Sequence, residues 1–142
     1  MQDLFYCTDR STSLQDLVES LRDGHLVSSV RYPTRTSANV QNDSVWVNLY
    51  QIAPPLDEFG EEPQREVLRS LEIRTIVQFS FRETLLREVK PYLALCLTRF
   101  GGWVGLDDGR FAERFDLGNL DQIEEALRRL ATVPEDEVVS ER

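Results

Sequence analysis

Cys7, His25 and the Asp107–Asp108 pair are the residues of this chain whose types could carry chemistry. A thiol beside an imidazole makes a nucleophilic dyad, and paired carboxylates next to a glycine turn can gather a divalent cation. A Cys7–His25 dyad needs the first two strands to be adjacent and the thiol to be exposed in an electropositive setting. Cys7 lies instead in the apolar run Leu4–Cys7, where a cysteine serves as a small hydrophobe. His25 is the only histidine, so a zinc site would need cysteines or carboxylates, and neither C-x-x-C nor H-x-x-x-H spacing occurs. Asp107 and Asp108 precede Gly109 between two short apolar segments, a placement that turn chemistry explains in full. Asp57, Glu58, Glu61 and Glu62 gather in the same way around Gly60 and Pro63, as a loop does. GxGxxG, the P-loop, GxSxG and HExxH are all missing. Gly101-Gly102 follows a helical segment and therefore caps it. These residues predict no catalytic group, no metal and no cofactor.

The elements that would position such groups are best specified between Glu72 and Phe115. In EIRTIVQFSFR, Ile73, Val77, Phe79 and Phe81 share one face and Arg74, Gln78, Ser80 and Arg82 the other, with Ile76 alone out of pattern. Leu86, Val89, Leu93, Leu97 and Phe100 then recur at helical spacing and keep their phase across Pro91, which predicts one kinked helix with Leu93 and Leu97 buried. WVGL-DDG-RFAERF predicts a hairpin turning at Asp-Gly. Earlier in the chain, Leu4–Thr8 reads as a strand, and Ser13 with Asp16 opens a helix whose stripe is Leu14, Leu17, Val18 and Leu21. HLVSSVRY reads as a strand ending at Pro33, residues 34–43 as a polar surface loop, and SVWVNLYQI as a central strand apolar on both faces. Pro63 starts a short helix carrying Val67, Leu68 and Leu71. Asn119 with Gln122 fits a capping box before a final helix with Leu120, Ile123, Leu127 and Leu130. The order β-α-β-β-α-β-α-β-β-α implies an α+β fold: a mixed, mostly antiparallel sheet with helices packed on it. With no repeat or linker, residues 1–131 form one domain and residues 132–142 a flexible acidic tail.

The 142 residues suffice to bury a core without disulfides, so Cys7 and Cys96 are expected as buried thiols. No apolar run reaches the length that crosses a bilayer, and MQDLFYCTDR lacks the basic leader of a secretory signal, so the expectation is a cytoplasmic protein without membrane association. The formal net charge is −9, and residues 101–142 carry 11 acidic against 5 basic residues. Such an imbalance disfavours nucleic acid and suits a basic protein partner. The acidic candidates for partner contact are Asp107, Asp108, Glu113, Asp116, Glu124 and Glu125. Of the two tryptophans, Trp46 is expected in the core, and Trp103, at the start of a strand after the Gly-Gly cap, as the contact residue.

The segment TDRSTSLQDL after the first strand, a middle strand, a short helix, then IVQFSFR and a helix running into a hairpin resemble bacterial immunity proteins. The resemblance spans most of residues 4–115, and its type is the immunity protein of swarming-inhibition toxins. It implies a cytoplasmic, non-catalytic protein that binds one polymorphic toxin and blocks its active site. Two other readings stand beside it: a small enzyme or ligand-binding domain with a site near Cys7, His25 and Asp107/Asp108, and a structural subunit of a homo-oligomer.

Overall fold

The computed structural model describes residues 1–140 except Ser44, Pro55, Asp57 and Glu58, with side chains through residue 131. The carboxylates of Asp57 and Glu58 thus lie outside the described residues. Seven strands form one sheet: β1 (Gln2–Thr8), β2 (Ser29–Thr34), β3 (Ser37–Asn42), β4 (Val45–Gln51), β5 (Thr75–Phe81), β6 (Trp103–Leu106) and β7 (Arg114–Phe115). Their order is β2-β3-β4-β5-β1-β6-β7, and every neighbouring pair is antiparallel. With helices α1 (Leu14–Asp23), α2 (Glu62–Ser70), α3 (Leu86–Phe100) and α4 (Ile123–Ser140), this is an α+β fold.

One face of the sheet carries the main core. Leu4, Tyr6, Val40, Val47, Leu49, Val77, Phe79 and Val104 meet the predicted stripes of α1, α3 and α4 there. Ser13 caps α1 as its spacing predicts, its Oγ accepting from the Asp16 N–H at 3.1 Å. Helix α3 is continuous through Pro91, and Leu93 and Leu97 are buried. Pro91 is exposed, so water can reach the Arg87 carbonyl that loses its helical donor. The opposite face is covered over only part of its width. Phe5, Cys7, Ile76 and Trp103 pack there beneath Leu68 of α2 and Phe111. That second layer explains Ile76, whose break in the alternation is the mark of a strand buried on both sides.

Four expectations are corrected. Residues 34–43 are not a loop: β3 occupies Ser37–Asn42, with only the small Ala38 and Val40 turned into the core. Pro33 does not end β2 but lies within it, as an edge strand allows, at a shift of register between Arg31 and Thr34. The hairpin after β6 is looser than a tight Asp-Gly turn, because β7 is only Arg114–Phe115. The Asp108 carboxylate accepts the N–H groups of Arg110 and Phe111 and folds Phe111, at φ 53°, into the second layer. Asn119 makes no capping box; its Oδ1 accepts from the Asp116 N–H, and a 3-10 turn at Leu120–Gln122 leads into α4. The backbone of α4 remains helical through Ser140, over most of the segment expected as a tail.

Leu93 is fully enclosed between α3 and the sheet. Leu93→Ala is expected to lower unfolding free energy by about 2–5 kcal/mol through the cavity it leaves, read as a fall in the urea midpoint at unchanged slope.

Candidate functional site

The partial cover on the second face leaves the strands β2, β3 and β4 open on that side, together with the end of β5. Register places the outward side chains in rows. Arg31, Asn39, Asn48, Ser80 and Asp3 form one, Ser29, Gln41 and Trp46 a second, and Ser37, Tyr50 and Gln78 a third. Two large aromatics stand exposed among these polar groups, Trp46 at 54% and Tyr50 at 42% of their full accessibility. Recesses of about 600 and 570 Å³ flank Trp46. The first is lined by Trp46, Asn48, Ser80, Arg82 and Thr84, the second by Ser29, Arg31, Asn39, Gln41 and Trp46. Behind the first, Gln78 Nε2 donates to Ser80 Oγ at 3.2 Å, and Ser80 Oγ donates to Asp3 Oδ1 at 2.5 Å. A chain of donors held this way fixes the surface before anything binds.

The two tryptophans exchange the exposure expected of them. Trp103 is 9% exposed and meets Phe111 edge to face at 5.2 Å, with the Arg114 guanidinium 5.9 Å from its ring centroid. It is a core residue. Trp46 is the exposed one. The signal for this was Asn48: a polar residue between Trp46 and Tyr50, on the face opposite Val47 and Leu49, marks an alternating strand with one wet side.

The acidic candidates do not form one patch of free carboxylates. Glu113 makes a paired contact with the Arg129 guanidinium at 3.2 and 3.3 Å. Glu124 lies 3.5 Å from Arg87, and Glu125 lies 3.8 Å from Arg128. Asp116 accepts from the Gly118 N–H at 2.9 Å. Asp107 adjoins Asp108 at the end of β6, and its carboxyl is pushed above the usual range by burial and by the charges of Asp3 and Asp108.

Cys7, His25 and Asp107 are held apart. The Cys7 side chain lies in the second layer, where burial pushes its thiol pKa up. His25 is exposed beyond the C-terminus of α1, a helix of the first layer. Asp107 follows Leu106, which pairs with Leu4, whereas Cys7 pairs with Trp103 at the other end of β6. A buried, protonated thiol remote from any imidazole is a poor nucleophile. Cys96 is likewise buried and free. Among the described residues no three His, Cys, Asp or Glu side chains are grouped to hold a metal ion, and no helix is long and apolar enough to cross a membrane.

Asp107 sets a pH dependence whose sign can be stated. Its folded pKa lies above the unfolded one, so the folded state holds the proton more tightly and stability falls as pH rises through the carboxylate range. Asp107→Asn is expected to raise the thermal midpoint at neutral pH and to match the parent protein below that range. Trp46→Phe should leave only the buried Trp103 and shift the emission maximum to shorter wavelength, with loss of acrylamide quenching. Comparison with protein-family models, with curated proteins and with solved structures found no match to this chain.

Proposed function

We propose that the protein is a non-catalytic protein-binding domain that docks a partner on the open face of its sheet, in the manner of an immunity-type inhibitor on its toxin. The observation that carries the reading is the exposure of Trp46 and Tyr50 among the amides of Asn39, Gln41, Asn48 and Gln78. Rigid aromatics bury a large area at small entropic cost, and they dominate interface energetics when a polar rim excludes water around them. The separation of Cys7 from His25 supports a role without nucleophilic chemistry. The resemblance of TDRSTSLQDL and IVQFSFR to immunity proteins supplies the class of partner, a bacterial toxin domain.

The acidic region and the aromatic face divide the work of association. The acidic C-terminal half carries much of the net charge of −9 and, with Glu113, Glu124 and Glu125 locally paired, acts as a long-range field that steers a basic partner. The aromatic face holds the partner once it has arrived.

A toxin-like domain encoded beside this protein is the partner to test, by isothermal titration and by survival of cells expressing the toxin. Trp46→Ala is expected to weaken binding by about thirtyfold, the loss of a central anchor worth ~2 kcal/mol, and to leave the thermal midpoint unchanged because the ring is exposed. Binding and protection that survive both Trp46→Ala and Tyr50→Ala would refute the reading. Rising salt should slow association and leave dissociation nearly constant.

A further inference from the structure

We propose that the segment received by this face is acidic, its carboxylates pairing with Arg31 and Arg82 on either side of Trp46. The inference rests on the face being a docking surface and names the chemistry of what docks.

Arginine is in demand in this chain, where 25 acidic residues outnumber 16 basic ones. Arg22, Arg65, Arg69, Arg87, Arg128 and Arg129 each lie within 4.0 Å of a carboxylate. Several arginines have no carboxylate that near, Arg10, Arg35, Arg74, Arg99, Arg110 and Arg114 among them, but Arg31 and Arg82 are the two that line the recesses beside Trp46, and among the described residues no side chain or carbonyl pairs with either guanidinium. Asp43 lines the recess of Arg82 without reaching it, and Asp3 is taken by the Ser80 hydroxyl. Both arginines are exposed. The Asn48↔Ser80 register, carried two residues on, sets Arg82 across from Trp46, and Arg31 lies on the far side through its pairing with Asn39. Each of the two recesses beside Trp46 therefore carries one unpaired guanidinium. A planar fork of donors next to an aromatic wall is suited to a carboxylate, which it can meet with two parallel bonds.

Spacing narrows the ligand further. Arg31 on β2 and Arg82 at the end of β5 are three strand intervals apart and two residues out of row, or roughly 16 Å at about 4.8 Å per interval and about 3.4 Å per residue. An extended polypeptide crossing the strands covers about 14 Å of it in about four residues, and the long arginine side chains reach across the rest. The match is a segment with two carboxylates about four residues apart and an apolar side chain between them for Trp46. The amides of Asn39, Gln41 and Asn48 lie beneath that path and offer both donors and acceptors to its backbone. A nucleic-acid strand, charged at every nucleotide, sets more like charge against a chain at −9 than a segment with two carboxylates does.

The test uses fluorescein-labelled synthetic peptides of Val, Thr and Ser carrying two Glu at that spacing, against the same peptides carrying Lys or Gln. Anisotropy gives affinity, and the Trp46 indole N–H signal in a nitrogen–proton correlation spectrum reports the place. The Glu peptide should bind and shift Trp46, and Arg31→Glu with Arg82→Glu should weaken it at least about tenfold. The doubly reversed protein should instead take the Lys peptide, which shows that it remains folded and that its preference has inverted. Equal binding of the Glu, Lys and Gln peptides would overturn the inference, as would unchanged affinity after reversal or stronger binding of a single-stranded oligonucleotide. So would sedimentation showing that the face is filled by a second copy of this chain. A toxin partner lost on Trp46→Ala but indifferent to both arginine reversals would remove the acidic-segment assignment alone and leave the docking surface standing.

Discussion

Burial of β1 on both faces is the constraint around which the rest of the molecule is arranged. Leu4 and Tyr6 enter the main core, while Phe5 and Cys7 enter the second layer. A strand in that position must satisfy every polar group without water. Its neighbours β5 and β6 supply the ladder, and the Tyr6 hydroxyl turns to the end of α3, 2.6 Å from the Gly101 carbonyl and 3.1 Å from that of Cys96. Thr8 Oγ1 donates to the Phe100 carbonyl at 2.8 Å. These side chains answer the orphaned carbonyls at a helix C-terminus and pin α3 to the central strand. The chain then has to pass against β1 to begin β6. At Gly102, with φ 83°, a Cβ would lie 2.0 Å from the Cys7 carbonyl oxygen, so only glycine fits.

The second layer is small because α2 has nine residues and shares its task with two loops, one bearing Phe59 and the other Phe111. Phe5, Phe59, Phe111 and Trp103 interlock edge to face above β1 and β6, and that cluster fills the space α2 cannot. Nothing among the described residues extends the cover over β2 to β4. The outward rows there remain polar except for Trp46 and Tyr50, an arrangement that keeps the face soluble while leaving two anchors in place.

Local pattern in the chain was a good guide wherever one face of an element is buried. The stripes of α1 and α3, the alternation of β5, the Ser13 cap and the Gly-Gly stop are all visible in residue order, because each depends on neighbours three or four positions away at most. β3 was hidden because Ala38 and Val40 are small and its other side chains are polar, so SANVQN has the composition of a loop. The fate of Trp46 was legible only through Asn48, and that of Trp103 not at all. Both sit in strands with apolar neighbours, and what separates them is where α2 and the Phe111 loop come to rest, a matter of tertiary placement. The same dependence hid the candidate site, since Arg31, Trp46 and Arg82 are distant in sequence and only the order β2-β3-β4-β5 makes them neighbours.

The two margins of the sheet deserve comparison with its open face. On one side β2 carries Pro33 and a slipped register beside Arg31, which deprives an incoming strand of a regular row of donors. On the other, β7 offers only two residues. Both margins are poor templates for another strand, which disfavours lateral growth of the sheet, the usual route from an exposed edge to aggregation. A molecule built this way presents its aromatic rings broadside, so contact through them is made without extending its hydrogen-bonded ladder.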